Sequence, residues 1–150
     1  MKTLWSLILL LSFQINYAQS EKSLDDTKAY IVKMINQYGW KEHSNEHRVY
    51  AAFDGDLLKI AIEGNLKISE TEKTYNFANV YRFKGPIQKP GDVAHIIIWV
   101  DCLANKKSGK WKKDDLNFDV HSYEAAEQIL KAFQHLNKLL KENKPEVEKF

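Results

Sequence analysis

The chain is poor in the residues that usually build compact sites or staple small folds. Of its 150 residues, one is cysteine, three are proline and six are glycine. A single cysteine, Cys102, excludes an intrachain disulfide and the paired-cysteine spacings of zinc sites. The glycines form no glycine-rich phosphate loop, and no Gly-x-Ser-x-Gly elbow occurs. The sequence therefore predicts no cofactor and no metal site, and it contains no recognisable catalytic motif.

The chain also has little net charge and no long apolar run beyond its first residues. Its formal net charge is +2, so any electrostatic role must come from local clusters of charge. An apolar run at residues 4–13 follows Lys2 and precedes the small residue Ala18. This order is typical of a secretory signal peptide, and the run is too short to span a membrane. We predict that residues 1–18 are a signal peptide and that residues 19–150 form a single domain.

The end of the predicted signal peptide gives an indication of the compartment. Tyr17-Ala-Gln after the apolar run resembles signal ends common in some Gram-negative bacteria. No cysteine lies near the predicted cut, which argues against a lipid-anchored form, and no later segment is apolar enough to hold the chain in a membrane. We therefore expect an exported protein, periplasmic or secreted, of a Gram-negative envelope.

The most apolar stretch of the predicted domain is residues 93–103. β-Branched residues dominate its centre, which predicts a strand. Alternation separates an apolar face from a mixed one: the first holds Ala94, Ile96, Ile98, Val100 and Cys102, and the second holds His95, Ile97, Trp99 and Asp101. This pattern is typical of a central strand in a sheet that is covered on one side. On the apolar face, Cys102 is predicted to be an inert buried thiol.

The flanking segments predict the rest of the architecture. Apolar residues at helical spacing indicate one amphipathic helix over residues 24–38 and another that begins after Ser122 and ends before Pro145. Alternating segments between them predict five to seven mostly antiparallel strands, with Gly55 in a hairpin turn. Residues 85–91, bracketed by glycine and proline, predict a loop. Strands bounded by two helices predict an α+β fold with a bent sheet or partial barrel.

A cluster of five lysines around one tryptophan lies between two predicted strands. A hairpin tip of this kind could bind phosphates, anionic lipid headgroups or acidic glycans, with the tryptophan stacking or anchoring. The alternative is a solvated turn whose charge is offset by the following Asp114 and Asp115. The candidate binding residues are Lys106, Lys107, Lys110, Trp111, Lys112 and Lys113.

Two patterns that contain histidine suggest other chemistry. His95, Trp99 and Asp101 could line a pocket in which His95 carries a proton or contacts a ligand, although packing beneath the first helix would also explain them. His43 and His47 have the spacing of zinc ligands on a helix. Because they follow a glycine that ends a predicted helix, we predict no metal site there.

Residues 56–62, 75–80 and 126–136 share a pattern with a known kind of domain. They resemble small exported bacterial domains of unknown function with a pleckstrin-homology-like layout, and the resemblance covers roughly residues 48–140. It implies a bent antiparallel sheet closed by a C-terminal helix, and binding or scaffolding rather than catalysis. The N-terminal helix departs from this layout, so another helix-sheet-helix sandwich and a cystatin-type or nuclear-transport-factor-type barrel stay open as alternatives.

These features predict an exported, non-enzymatic binding or interaction domain. Its binding surface would be residues 106–113, and its partner would be an anionic surface or an envelope protein. The alternative is a small-ligand-binding or enzymatic α+β barrel that uses His95, Trp99 and Asp101. A third possibility is a structural envelope protein without a ligand. An enclosed pocket lined by His95, Trp99 and Asp101 would favour the barrel.

Overall fold

A computed structural model describes residues 24–64, 67–68, 73–103 and 108–144 of the chain. The predicted signal peptide lies outside the described residues, as do Lys106, Lys107 and Pro145.

Within the described residues, two helices flank seven strands, which confirms the predicted α+β class. Helix α1 spans residues 24–38, and helix α2 spans Tyr123–Glu142. The strands are β1 (Gly39–Trp40), β2 (Val49–Asp54), β3 (Leu57–Gly64), β4 (Lys67–Ile68), β5 (Lys73–Lys89), β6 (Val93–Leu103) and β7 (Lys112–Val120).

The strands form one antiparallel sheet that curls on itself. Six of them follow the order β1-β7-β6-β5-β3-β2, and β4 pairs with β3 off this path. At one end of this order, Trp40 of β1 forms a single β-bridge with Arg48, the residue that precedes β2 at the other end. The predicted bent sheet is therefore confirmed, and its two ends meet at one residue pair.

The core lies between the concave face of the sheet and the two helices. The apolar face of β6 is completely buried, as predicted for Ala94, Ile96, Ile98, Val100 and Cys102. Opposite it, α2 buries a stripe at helical spacing that consists of Ala126, Ile129, Phe133, Leu136 and Leu140. The ring of Phe133 stacks on Phe77 of β5 with centroids 4.5 Å apart. The strand and the helix thus bury the faces that their periodicity predicts.

Helix α1 packs into the same core and also covers an edge of the sheet. Ile31 and Ile35 are fully buried. The backbone N–H of Ala51 donates to Asn36 Oδ1 at 2.7 Å, and Asn36 Nδ2 donates to the Ala51 carbonyl at 3.4 Å. An edge strand exposes unpaired backbone groups that can pair with another chain. The Asn36 amide therefore occupies the place of a neighbouring strand at the edge of β2.

The prediction of a loop over residues 85–91 is wrong for most of that range. Strand β5 continues to Lys89, and only residues 90–92 form a turn. The pairing of β5 with β6 shifts register between Lys84 and Ile87, and Gly85 has a φ of 117°. A Cβ atom at Gly85 would lie 2.8 Å from the His95 carbonyl oxygen. Glycine and proline therefore mark a bulge within a long strand, not its end.

Candidate functional site

The mixed face of β6 points away from both helices. Its partners in the adjacent strands are Arg82 beside Trp99 and Lys113 beside Asp101. Because α1 packs on the opposite face, these side chains do not lie beneath that helix. We call the group formed by Tyr81, Arg82, Trp99, Asp101 and Lys113 the outer-face surface.

Two cation–aromatic pairs define the outer-face surface. Arg82 Cζ lies 5.3 Å from the ring centroid of Trp99, and Lys113 Nζ lies 5.0 Å from that of Tyr81. At these distances the positive charge is attracted to the negative face of the ring. Tyr81 is 54 % exposed, so its pair with Lys113 is open to solvent. The rings therefore hold two cations in place on the sheet face opposite α1 and α2.

The carboxylate of the surface is already hydrogen-bonded. Asp101 accepts from the Tyr81 hydroxyl at 2.6 Å and from Asn79 Nδ2 at 2.8 Å. The hydrogen bond to Asp101 raises the pKa of the Tyr81 hydroxyl, which therefore stays protonated as a donor. Both donors are neutral, so Asp101 keeps its negative charge, and the surface carries the two cations of Arg82 and Lys113 beside this carboxylate.

The lysine cluster predicted from the sequence meets this surface. Residues 110–113 are all exposed, and Trp111 is 40 % exposed. Lys113 pairs in register with Asp101, while Lys112 Nζ lies 3.9 Å from Asp114 Oδ2. The two predicted sets of residues, the lysine cluster and the mixed face of β6, thus come together at Lys113 and Asp101.

His95 lies on the same strand but belongs to a different environment. It is 5 % exposed, and its Nδ1 atom is 2.8 Å from Asp119 Oδ1. Asp119 also accepts from Lys89 Nζ at 2.8 and 2.9 Å and from the backbone N–H of His43 at 3.3 Å. On its other side, His95 Nε2 is 3.4 Å from Glu42 Oε1. We call His95, Asp119, Lys89 and Glu42 the Asp119 cluster.

The electrostatics of the Asp119 cluster favour a structural role. Burial acts most strongly on the Asp119 carboxyl and would raise its pKa, but the Lys89 ammonium, His95 and the His43 N–H outweigh burial, so the pKa is lowered. The carboxylate is therefore ionised and shared among three donors. It connects the segment that contains Glu42 and His43 to strands β5, β6 and β7. His95 contacts Asp119, whereas Trp99 contacts Arg82 and Asp101 contacts Tyr81, so the three residues have different partners.

The segment that contains His43 and His47 is not helical. Residues 41–47 form turns between β1 and β2, and His43 has a φ of 56°. His47 Nδ1 lies 3.0 Å from the Glu63 carbonyl oxygen, and His43 Nε2 lies 3.2 Å from Glu42 Oε1. Across the described ranges, no three His, Cys, Asp or Glu side chains come together in an arrangement that could hold a metal ion.

Cys102 is a free thiol within the core. It is 0 % exposed, and burial followed by the nearby Asp114 carboxylate raises the pKa of its thiol. A thiol that is buried and resists deprotonation is a poor nucleophile.

Sequence reasoning missed Tyr81, Arg82, Lys89 and Asp119. Asp119 carried a usable signal, because it lies among the polar residues that alternate with Leu116, Phe118 and Val120. Tyr81 and Arg82 carried none, since their orientation depends on register shifts between Asn76 and Arg82.

Comparisons with known proteins find no matching family model, no matching curated protein and no matching solved structure. Neither helix in the described part of the chain combines the length and apolar character needed to cross a bilayer.

Proposed function

We propose that this protein is a non-enzymatic binding domain and that its outer-face surface, together with residues 110–113, binds a polyanion. We further propose that the domain acts outside the cytoplasm after removal of residues 1–18. The observation that supports the binding role is the pair of fixed cations, Arg82 over Trp99 and Lys113 over Tyr81, on a sheet face that neither α1 nor α2 covers.

The geometry of the two pairs favours some anionic ligands over others. Nucleic-acid bases bind to such surfaces by stacking on open aromatic faces. Here Arg82 occupies a face of Trp99 and Lys113 occupies a face of Tyr81, so these faces are not open to a base. A lipid surface is favoured by apolar side chains that reach into it, whereas the rings of Trp99 and Tyr81 lie beneath cations, and only the exposed Trp111 has no such cation among the described residues of this surface. A glycan with sulfate or carboxylate groups needs only the cations, so an acidic glycan is the ligand class that we propose.

The test compares heparin binding by two double variants with the same change in charge. Arg82→Gln/Lys113→Gln removes the fixed cations, and Lys131→Gln/Lys138→Gln removes two exposed cations from α2. A lysine near an anionic surface contributes about 1 kcal/mol, so the first variant should lose about 10- to 30-fold in affinity at low salt. The helix variant should bind like the unmodified protein. Isothermal titration calorimetry with a heparin oligosaccharide gives both values.

Other outcomes contradict parts of the proposal. Equal losses in both variants would mean that heparin senses overall charge and not this surface. Tighter binding of single-stranded DNA or of anionic vesicles than of heparin would refute the glycan assignment. If none of the three polyanions binds the unmodified protein, the binding role of the outer-face surface is wrong.

A further inference from the structure

A cleft of about 260 Å³ lies between β7, the second half of β3 and the beginning of β5. Its apolar walls are formed by the buried Val49, Ile60 and Leu116 and by the half-buried Ile62. More exposed polar residues line the rest of it, among them Lys41, which follows β1 directly. An apolar cleft with a few polar groups is the usual form of a small-molecule site. It shares no residue with the outer-face surface.

The acidic groups of the cleft already have partners. Glu42 Oε1 lies 3.2 Å from His43 Nε2 and 3.4 Å from His95 Nε2. Asp115 accepts a hydrogen bond from Asn117 Nδ2. Both carboxylates of the cleft therefore already have a partner within the protein.

The basic groups of the cleft differ from each other. Lys73 Nζ lies 3.3 Å from Asp114 Oδ2, so its charge is compensated. The ammonium group of Lys41 has no hydrogen bond or ion pair among the described residues. Lys41 is therefore the one lining cation, within the described part of the chain, whose charge is not compensated by a neighbouring carboxylate.

Tyr75 supplies a polar atom inside the cleft. The residue is 3 % exposed and lines the cavity beside the apolar walls. No hydrogen bond joins its hydroxyl to another described residue, and the hydroxyl is not among the fully buried side-chain atoms that lack a partner. Burial, followed by the influence of Cys102 and the aspartates of β7, raises the pKa of this hydroxyl, so it remains a donor. A protonated hydroxyl at the wall of the cleft can donate to a ligand or a water molecule that occupies the cleft.

We propose that the cleft binds a small amphipathic acid, with its hydrocarbon part against Ile60, Ile62 and Leu116 and its carboxylate near Lys41 and the Tyr75 hydroxyl. A volume of 260 Å³ equals about nine water molecules of liquid. It accommodates a hydrocarbon chain or single ring with on the order of ten non-hydrogen atoms. Positive charge at Lys41 selects an anion over an amine of the same length.

The first experiment titrates the protein with sodium octanoate and follows methyl resonances by NMR. Octanoate should shift the methyl groups of Ile60, Ile62 and Leu116 saturably, and it should bind at least about fivefold more tightly than octylammonium. 1-Octanol serves as the neutral control. A lack of saturable shifts up to about 10 mM octanoate would overturn the proposal, because a ligand worth about 4 kcal/mol would saturate there.

Variants then assign the head group. Lys41→Gln should weaken octanoate binding about 5- to 10-fold and leave 1-octanol binding unchanged, and Tyr75→Phe should weaken octanoate binding while keeping the ring. Lys138→Gln, on the exposed side of α2, is the charge-matched control. Unchanged octanoate binding in Lys41→Gln would overturn the assignment. Shifts confined to the Trp99 indole would place the ligand on the outer-face surface and overturn the cleft proposal, while heparin binding would test that surface separately.

Discussion

His95 Nδ1 and Asp119 Oδ1 lie 2.8 Å apart, and each side chain is only 7 % exposed. The two residues are also direct neighbours in the pairing of β6 with β7. The contact therefore fixes two adjacent strands to each other through their side chains as well as their backbones. Through Lys89 and the backbone N–H of His43, the same carboxylate reaches β5 and the segment after β1.

We expect Asp119→Asn to lower the free energy of unfolding by about 3 kcal/mol at pH 7. The substitution leaves the Lys89 ammonium largely buried without its counter-charge, and breaking a buried charge pair costs about 3–5 kcal/mol. Asp56→Asn is the control, because Asp56 is 62 % exposed and exposed pairs contribute less than about 1 kcal/mol. Urea denaturation measures both variants. Equal losses in the two would contradict the role of the cluster.

The stability of the protein should also depend on pH through Asp119. Its pKa is lower in the folded protein than the ordinary value of 3.8, so its contribution is present above that value and is lost as the pH falls below it. The unmodified protein should therefore lose more stability between about pH 5 and pH 3 than Asp119→Asn does. Urea denaturation at several pH values checks this, and parallel curves for the two proteins would refute it.

Asn36→Ala should both destabilise the protein and promote its self-association. It removes the two hydrogen bonds to Ala51 and exposes the edge of β2, at a cost of about 1–3 kcal/mol. Gln37→Ala, a change in the neighbouring exposed side chain, should be nearly neutral. Thermal unfolding and static light scattering measure the two effects. If both variants behave alike, the Asn36 amide does not protect the edge.

Phe133→Ala should lower the free energy of unfolding by about 3–5 kcal/mol, because it opens a cavity opposite Phe77 in the centre of the core. Phe133→Leu fills most of that space and should cost much less. Gln134→Ala, on the exposed side of α2, should stay within about 0.5 kcal/mol of the unmodified protein. Denaturant titrations of the three variants test whether α2 covers the sheet through this contact.

Cys102 should react with a thiol reagent such as DTNB only when the protein opens. Its thiol is buried and its pKa is raised, so at pH 8 little thiolate is present or accessible. The labelling rate should follow the unfolded fraction as urea is added. A fast reaction in the absence of urea would contradict the burial of the thiol.

The parts of the fold that the sequence predicts well are those with an uninterrupted period. Strand β6 alternates in burial except at His95, which is buried on the mixed face. Helix α2 keeps a 3.6-residue stripe for five turns, and Gly55 forms the expected turn with a φ of 58°. In each element, one face must be buried, and burial of apolar side chains dominates the choice of conformation.

The rest depends on long-range register, which local pattern does not determine. Strand β5 shifts its pairing with β6 at three places, and these shifts decide that Arg82 faces Trp99. The lysine cluster and the mixed face of β6 were predictable separately. Their meeting at Lys113 and Asp101 required the pairing of β6 with β7 to be known residue by residue. The outer-face surface was therefore visible in the sequence only as two unrelated groups.

The closure of the curled sheet at Trp40 has a consequence for the order of folding. Gly39 pairs with Val120, about eighty positions later in the chain, while Trp40 also bridges to Arg48. Joining such distant segments has a large cost in loop-closure entropy, and only the two residues of β1 form strand pairs that offset this cost directly. The hairpins β2–β3 and β6–β7 can form from residues that are close in sequence, so the pairing of β1 with β7 should form after them. For the same reason, the amide hydrogens of β1 should be the first in the sheet to exchange with solvent.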